Sequence, residues 1–235
     1  MQAEGKVVEM ILLDGLPAAY IACPPRLIPP PGGYLLAYMP DSDMALATAV
    51  YAAASFAESH KAGNGGFLAA PPIPGPWTLG SRLILRGPLG HGFAIPSSAR
   101  RVALVAFDSS PRRLLVLLDK AIKMEAAVTL LCESPVDDLP FQVEVQPLRA
   151  LAEVGRWADY LAIDTMRESL PELRKQLETI GLPKFNGESQ VLIRTLMPCG
   201  GLAECGVCTV EVRGGPQLAC VDGPVFDLRS VVLKT

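Results

Sequence analysis

Val102-Ala103-Leu104-Val105-Ala106-Phe107-Asp108-Ser109-Ser110-Pro111 is the stretch on which the fold turns. Six apolar residues in succession suit a strand covered on both faces, the kind found in parallel sheets. Asp108, Ser109 and Ser110 offer N-cap side chains and Pro111 fits a first helical turn, so residues 112–126 are expected to be helical. The rhythm then repeats. Strand-like runs cover 128–132, 141–145 and 160–163, a helix is expected over 169–180 before Gly181, and 191–195 reads as the last strand. Strands alternating with helices imply a parallel sheet, hence an α/β unit of the nucleotide-domain type.

Upstream the pattern differs. Short β-like runs at 7–12, 18–23, 33–38 and 82–86 are separated by Pro- and Gly-rich breaks at 29–33 and 71–76. That spacing suits a small antiparallel barrel. One stretch reads otherwise: Asp41-Ser42-Asp43 resembles an N-cap, and 44–60 is Ala-rich enough to be a helix between barrel strands.

Composition bounds the rest. The chain has 235 residues, with 21 Lys plus Arg against 24 Asp plus Glu, so it lacks the positive charge that nucleic-acid phosphates demand. Half its residues are hydrophobic, which excludes intrinsic disorder. The longest uncharged small-residue run, 44–57, is too short to cross a bilayer in a helix. Met1-Gln2-Ala3-Glu4 lacks the basic-then-apolar pattern of a signal peptide, so a cytoplasmic protein is expected.

Four of the six cysteines crowd the last 40 residues. The tail reads Cys199-Gly200-Gly201-Leu202-Ala203-Glu204-Cys205-Gly206-Val207-Cys208 and returns at Cys220. Plant-type [2Fe–2S] proteins space their cysteines by four, by two and then by a long gap; here the first gap holds five residues. The pattern supplies two thiolates for each of two irons. Gly200, Gly201 and Gly206 would let the loop turn sharply and bring backbone N–H groups near the sulfurs. A structural zinc ion on four cysteines is the alternative, although only Cys205 and Cys208 form the usual two-residue knuckle; disulfides are the least favoured in a reducing compartment. A metal centre would also supply the cross-link that so small a segment needs. Cys23 and Cys132 are isolated and read as small core residues, as Trp77 and Trp157 read as packing. His60 and His91 suggest no catalytic triad, and no catalytic residue is assigned.

These cysteines, together with Ala219-Cys220-Val221-Asp222-Gly223-Pro224-Val225-Phe226 and the upstream Gly87-Pro88-Leu89-Gly90-His91-Gly92-Phe93, resemble the electron-transfer subunit of dihydroorotate dehydrogenase B. That family belongs to the ferredoxin-reductase-like flavoproteins. The resemblance implies an FAD-binding-type β-barrel over 1–97, an NAD-binding-type α/β domain over 98–195 and a small [2Fe–2S] domain over 196–235. It also implies that Cys199, Cys205, Cys208 and Cys220 are the cluster ligands, and that Gly87, Pro88, Leu89 and Gly90 would contact FAD if it binds. A dihydroorotate dehydrogenase-like catalytic subunit, or another flavoenzyme, would be the partner, in pyrimidine biosynthesis.

The chain departs from the family at both nucleotide sites. The arginine that pairs with a flavin phosphate has no counterpart, since residues 28–80 contain no Arg and Lys61 is their only cation. FAD is therefore disfavoured. Where the family has a glycine-rich loop, Asp108 to Pro111 put side chains and a proline, and NAD(H) is disfavoured too. The expected function is a cluster-bearing electron-transfer subunit. A non-enzymatic scaffold or redox sensor with a structural metal is the alternative, and a complete flavin reductase with a divergent pocket is a third.

Overall fold

The computed structural model describes residues 1–40, 47–56, 65–108, 110–179 and 187–231. Six strands, β1 (Gln2–Leu13), β2 (Leu16–Ala22), β3 (Tyr34–Tyr38), β4 (Thr48–Ala53), β5 (Phe67–Ala69) and β6 (Arg82–Leu89), close into a barrel in the order β1-β2-β5-β4-β3-β6. Period-two alternation explains its interior. Leu83 and Leu85 of β6 point inward beside Val7, Ile21, Leu35 and Val50, while their neighbours face out. The β1–β2 hairpin turns at Asp14 and Gly15, both at positive φ, the pair of residue types that such a two-residue turn favours.

The helix expected over 44–60 is corrected by β4. Alanine's helix propensity is worth only a fraction of a kcal/mol per residue, about 0.7 at most over ordinary residues. Pairing with β3 and β5 on both sides, with Val50, Tyr51 and Ala53 buried, outweighs it. The N-cap expected at Asp41-Ser42-Asp43 and the ends of that stretch lie outside the described residues.

The second layer is a mixed sheet. Strands β7 (Arg101–Ala106), β8 (Ala127–Leu131), β9 (Val143–Gln146), β10 (Tyr160–Met166) and β11 (Glu188–Arg194) run parallel in the order β9-β8-β7-β10-β11. The apolar run is buried from Val102 to Ala106, as a central strand requires. Its helices are α1 (Arg112–Leu115), α2 (Leu118–Lys123), α3 (Leu151–Trp157) and α4 (Leu170–Thr179). The single helix expected over 112–126 is thus two short ones, and nothing in the sequence marks the break. The helix α3 was not anticipated, since Gly155 weakens its pattern.

The tail forms a hairpin, β12 (Thr209–Val212) with β13 (Gly215–Leu218), and then β14 (Val225–Asp227), which pairs antiparallel with β11 at the edge of the large sheet. The tail is therefore not packed on its own. One hydrophobic cluster joins Tyr34 and Leu36 of the barrel, Val191 and Ile193 of the sheet, and Cys208, Val210, Cys220 and Phe226 of the tail.

Candidate metal centre

Strand β11 ends in Arg194, and buried Met197 delivers the chain to Cys199. From there the backbone coils tightly, with Gly200, Gly201, Ala203 and Gly206 at φ between 63° and 70°. Left-handed residues at these places turn peptide N–H groups inward. Those of Glu204, Cys205 and Leu202 hydrogen-bond the Cys199 sulfur, and that of Ala203 bonds Cys220.

The four thiols form two close pairs. Cys199 and Cys205 hydrogen-bond each other through their side chains, as do Cys208 and Cys220. The Glu204 N–H, the Cys205 thiol and the other N–H groups bring the Cys199 thiol down to about 6. Burial, followed by the nearby Cys208 thiol, pushes Cys220 up to about 11. Cys205 is exposed, Cys199 half-buried, and Cys208 and Cys220 buried. Among the described residues no three His, Cys, Asp or Glu side chains converge on a single metal position. Paired thiols under inward N–H groups are a donor set that fits an iron–sulfur cluster.

The rest of the fold grips the loop from outside. Tyr34 Oη of the barrel donates to the Cys220 carbonyl at 2.8 Å, and Arg86 Nη1 donates to the Gly200 carbonyl at 2.9 Å. Arg167, just after β10, donates to the Val207 carbonyl. Asp222 accepts from the Leu218 N–H at 2.7 Å, which fixes the turn that presents Cys220. Sequence reasoning missed Tyr34, Arg86 and Arg167 because only the folded chain brings them to the loop.

Residues 87–89 continue β6, where a Cβ on Gly87 would stand 2.8 Å from that of Leu35. Gly90, at φ 70°, leaves room for Pro224, whose Cδ would lie 2.6 Å from an added Cβ. His91 N–H donates to the Gly223 carbonyl at 2.5 Å, and its Nδ1 lies 2.9 Å from the Asp222 carbonyl. These residues form a seam with the tail, and none of the four lines the cavity described next. His60 lies outside the described residues, and Cys23 and Cys132 are buried in the core.

A cavity of about 870 Å³ opens between the barrel, the large sheet and the start of the tail. Its walls come from β4, residues 72–77 and residues 194–198, including Trp77 and Met197. Beside it lies the switch point of the sheet, between the carboxyl ends of β7 and β10, where open α/β folds place nucleotides. Here the chain fills that place itself. Buried Asp164 accepts from Arg194 Nε at 2.5 Å and Arg113 Nη1 at 3.4 Å. Asp108 accepts from Arg194 Nη2 at 2.5 Å and from the Met166 N–H at 2.7 Å, and so spans the gap between the two strands. Arg113 also donates to the Pro71 carbonyl and stands 5.9 Å from the centre of the Tyr51 ring. Burial, only partly offset by Asp164, lowers the affinity of Arg113 for its proton.

The described residues around the crevice do not fit a dinucleotide. The helix after β7 is four residues long, and Asp108 occupies the crevice that a pyrophosphate of NAD(H) would enter. At the cavity, two carboxylates balance the two guanidiniums, so the described lining offers the FAD pyrophosphate no spare cation.

Comparison with protein families matches residues 195–232 to the iron–sulfur cluster binding domain of dihydroorotate dehydrogenase B. Comparison with curated proteins found no match. Among solved structures, the chain is similar to an NADH-dependent reduced ferredoxin-NADP oxidoreductase, at 18% identity and TM-score 0.74, over 98% of this chain and 90% of that one. It is also similar to the ferredoxin reductase in carbazole 1,9a-dioxygenase, at 18% identity and TM-score 0.60, over 78% and 67% of the two chains. A ferredoxin NADP+ reductase from Neisseria gonorrhoeae gives 11% identity and TM-score 0.56, over 82% and 98%. Among the described residues no helix is long and apolar enough to cross a membrane. A ferredoxin-reductase-like fold ending in a tail that matches this cluster-binding domain supports the chain's resemblance to the electron-transfer subunit of dihydroorotate dehydrogenase B.

Proposed function

We propose that the chain carries a [2Fe–2S] cluster on Cys199, Cys205, Cys208 and Cys220 and relays single electrons to a partner flavoenzyme. The match of its tail supports a dihydroorotate dehydrogenase-like subunit as that partner, and cytoplasmic pyrimidine biosynthesis is the setting proposed. The chain is then one component of an oxidoreductase, organised as a barrel over 1–97, an α/β unit over 98–195 and a cluster-binding tail over 196–235.

The pairing of the thiols carries this reading. Two irons need two thiolates each, which Cys199 with Cys205 and Cys208 with Cys220 would supply. When bound, the cluster takes up and releases one electron at a time. The chain's own residues do the rest. N–H groups aimed at Cys199 favour its thiolate, Tyr34 and Arg86 hold the loop's carbonyls, and exposed Cys205 marks the face nearest solvent. If no dinucleotide binds, the electron donor would be external.

The ion network in the crevice favours a second reading, a reductase shell retained as a scaffold around a structural metal. Metal analysis of anaerobically purified protein separates the two. About two irons and two acid-labile sulfides per chain, with a one-electron paramagnetic signal on reduction, are expected. One zinc per chain, or four irons, would overturn the assignment.

A further inference from the structure

The loop that bears Cys199, Cys205 and Cys208 is held by cations from both halves of the fold. Arg86 of β6 donates through Nη1 to the Gly200 carbonyl at 2.9 Å, one residue after Cys199. Arg167, just after β10, donates to the Val207 carbonyl, one residue before Cys208. Both guanidiniums thus hold carbonyls of a loop whose Leu202, Glu204 and Cys205 N–H groups face the Cys199 sulfur. Arg86 is delivered from a fixed backbone, since β6 pairs there with Gln2 of β1 and Leu36 of β3. The loop rests on that same face: a Cβ added to Gly201 would stand 3.1 Å from Tyr34 Oη and 3.3 Å from Leu36 Cδ1.

Coulomb's law gives the sign of their effect. An iron–sulfur centre gains one negative charge on reduction, so a cation held beside it favours the reduced form and raises its potential. A neutral donor that only shaped the loop would leave that balance without its charge term. The two arginines are not equivalent. The Arg86 bond is partly buried and that of Arg167 is exposed, so solvent and salt screen the second more. Glu168 Oε1 also stands 3.5 Å from Arg167 Nη2 and offsets part of its charge.

We propose that Arg86, with a smaller share from Arg167, is a positioning residue that raises the reduction potential of the centre on Cys199, Cys205, Cys208 and Cys220. The proposal rests on the cluster reading above. It gives the barrel a task in electron transfer, because β6 carries the charge that eases uptake of an electron from an external donor.

The test is a redox titration of the full chain, purified anaerobically, with dithionite as reductant and dye mediators. Visible absorbance and the paramagnetic signal of the reduced centre follow it, and iron, sulfide and zinc are assayed on every sample. Arg86→Gln should make reduction about tenfold less favourable, a fall of about 59 mV for one electron. Arg167→Gln should cost about threefold, a fall of about 28 mV. Arg86→Lys keeps the charge and should stay within about twofold of the parent. An unmoved potential in iron-loaded Arg86→Gln, or in Arg167→Gln should the first variant lose its iron, would overturn the proposal. So would Arg86→Lys falling as far as Arg86→Gln, which would make the contact structural. A parent that holds zinc and no iron would instead overturn the cluster reading, and this proposal with it.

Discussion

The hydroxyl of Tyr34, at the start of β3, donates to the backbone carbonyl of Cys220 across 186 residues of sequence, at 2.8 Å and fully buried. The barrel therefore holds the last of the four clustered cysteines directly. Tyr34→Phe keeps the ring and removes only that donor, leaving a buried carbonyl unsatisfied. A loss of about 1–3 kcal/mol is expected in denaturant unfolding. Iron should also leave the variant faster under a chelator, and equal release rates would show that the contact does not steady the centre.

Cys208 is 1% exposed and pairs with Cys220. Cys208→Ser should lower the iron content per chain and loosen the tail, with the barrel still folded. Iron analysis and limited proteolysis check it; full iron content would remove Cys208 from the ligand set.

The junction of barrel and sheet carries a second buried arginine. Arg112 bonds Asp14 at 2.9 Å and Asp138 at 2.8 Å. Burial alone would raise the Asp138 carboxyl, but Arg112, Ser55 and the Phe56 N–H outweigh it and hold it below 3.8. A depressed carboxylate adds stability that is present above its unfolded pKa and lost as the pH falls through the folded one. Asp138→Asn should therefore be less stable than the parent at pH 7, with the gap closing in acid as the pH falls below 3.8. Denaturant midpoints at the two pH values decide it.

Asp164 is wholly buried between Arg113 and Arg194. Asp164→Asn strips the carboxylate from both, and about 3–5 kcal/mol of stability should go with it. Adding Arg113→Met removes one stranded charge and should restore part of that loss. If the double variant is no better than the single, the pair is not energetically linked.

Much of this architecture is legible in the chain. The apolar run at Val102 announces a central parallel strand, and the Pro- and Gly-punctuated runs before it announce a barrel. Glycine placement around the cysteines anticipates the positive φ at Gly200, Gly201 and Gly206. What stays hidden depends on distant partners. Thr48 to Ala53 reads as helix until β3 and β5 flank it, because alanine-rich sequence carries little strand signal. That Gly90 makes room for Pro224, 134 residues further on, cannot be read from the chain either. Asp108 reads as a helix cap, yet its carboxylate reaches Met166 and Arg194 instead.

The cysteine-bearing segment leaves the large sheet at β11 and rejoins it at the neighbouring β14, where Val225 pairs with Leu192 and Asp227 with Gln190. It is thus an excursion between two adjacent strands rather than a dangling appendage. Truncating the polypeptide ahead of Val225 would strip that flank bare and offer an unsatisfied backbone to any passing molecule. Self-association, as well as demetallation, is the hazard of shortening this protein from its carboxyl end.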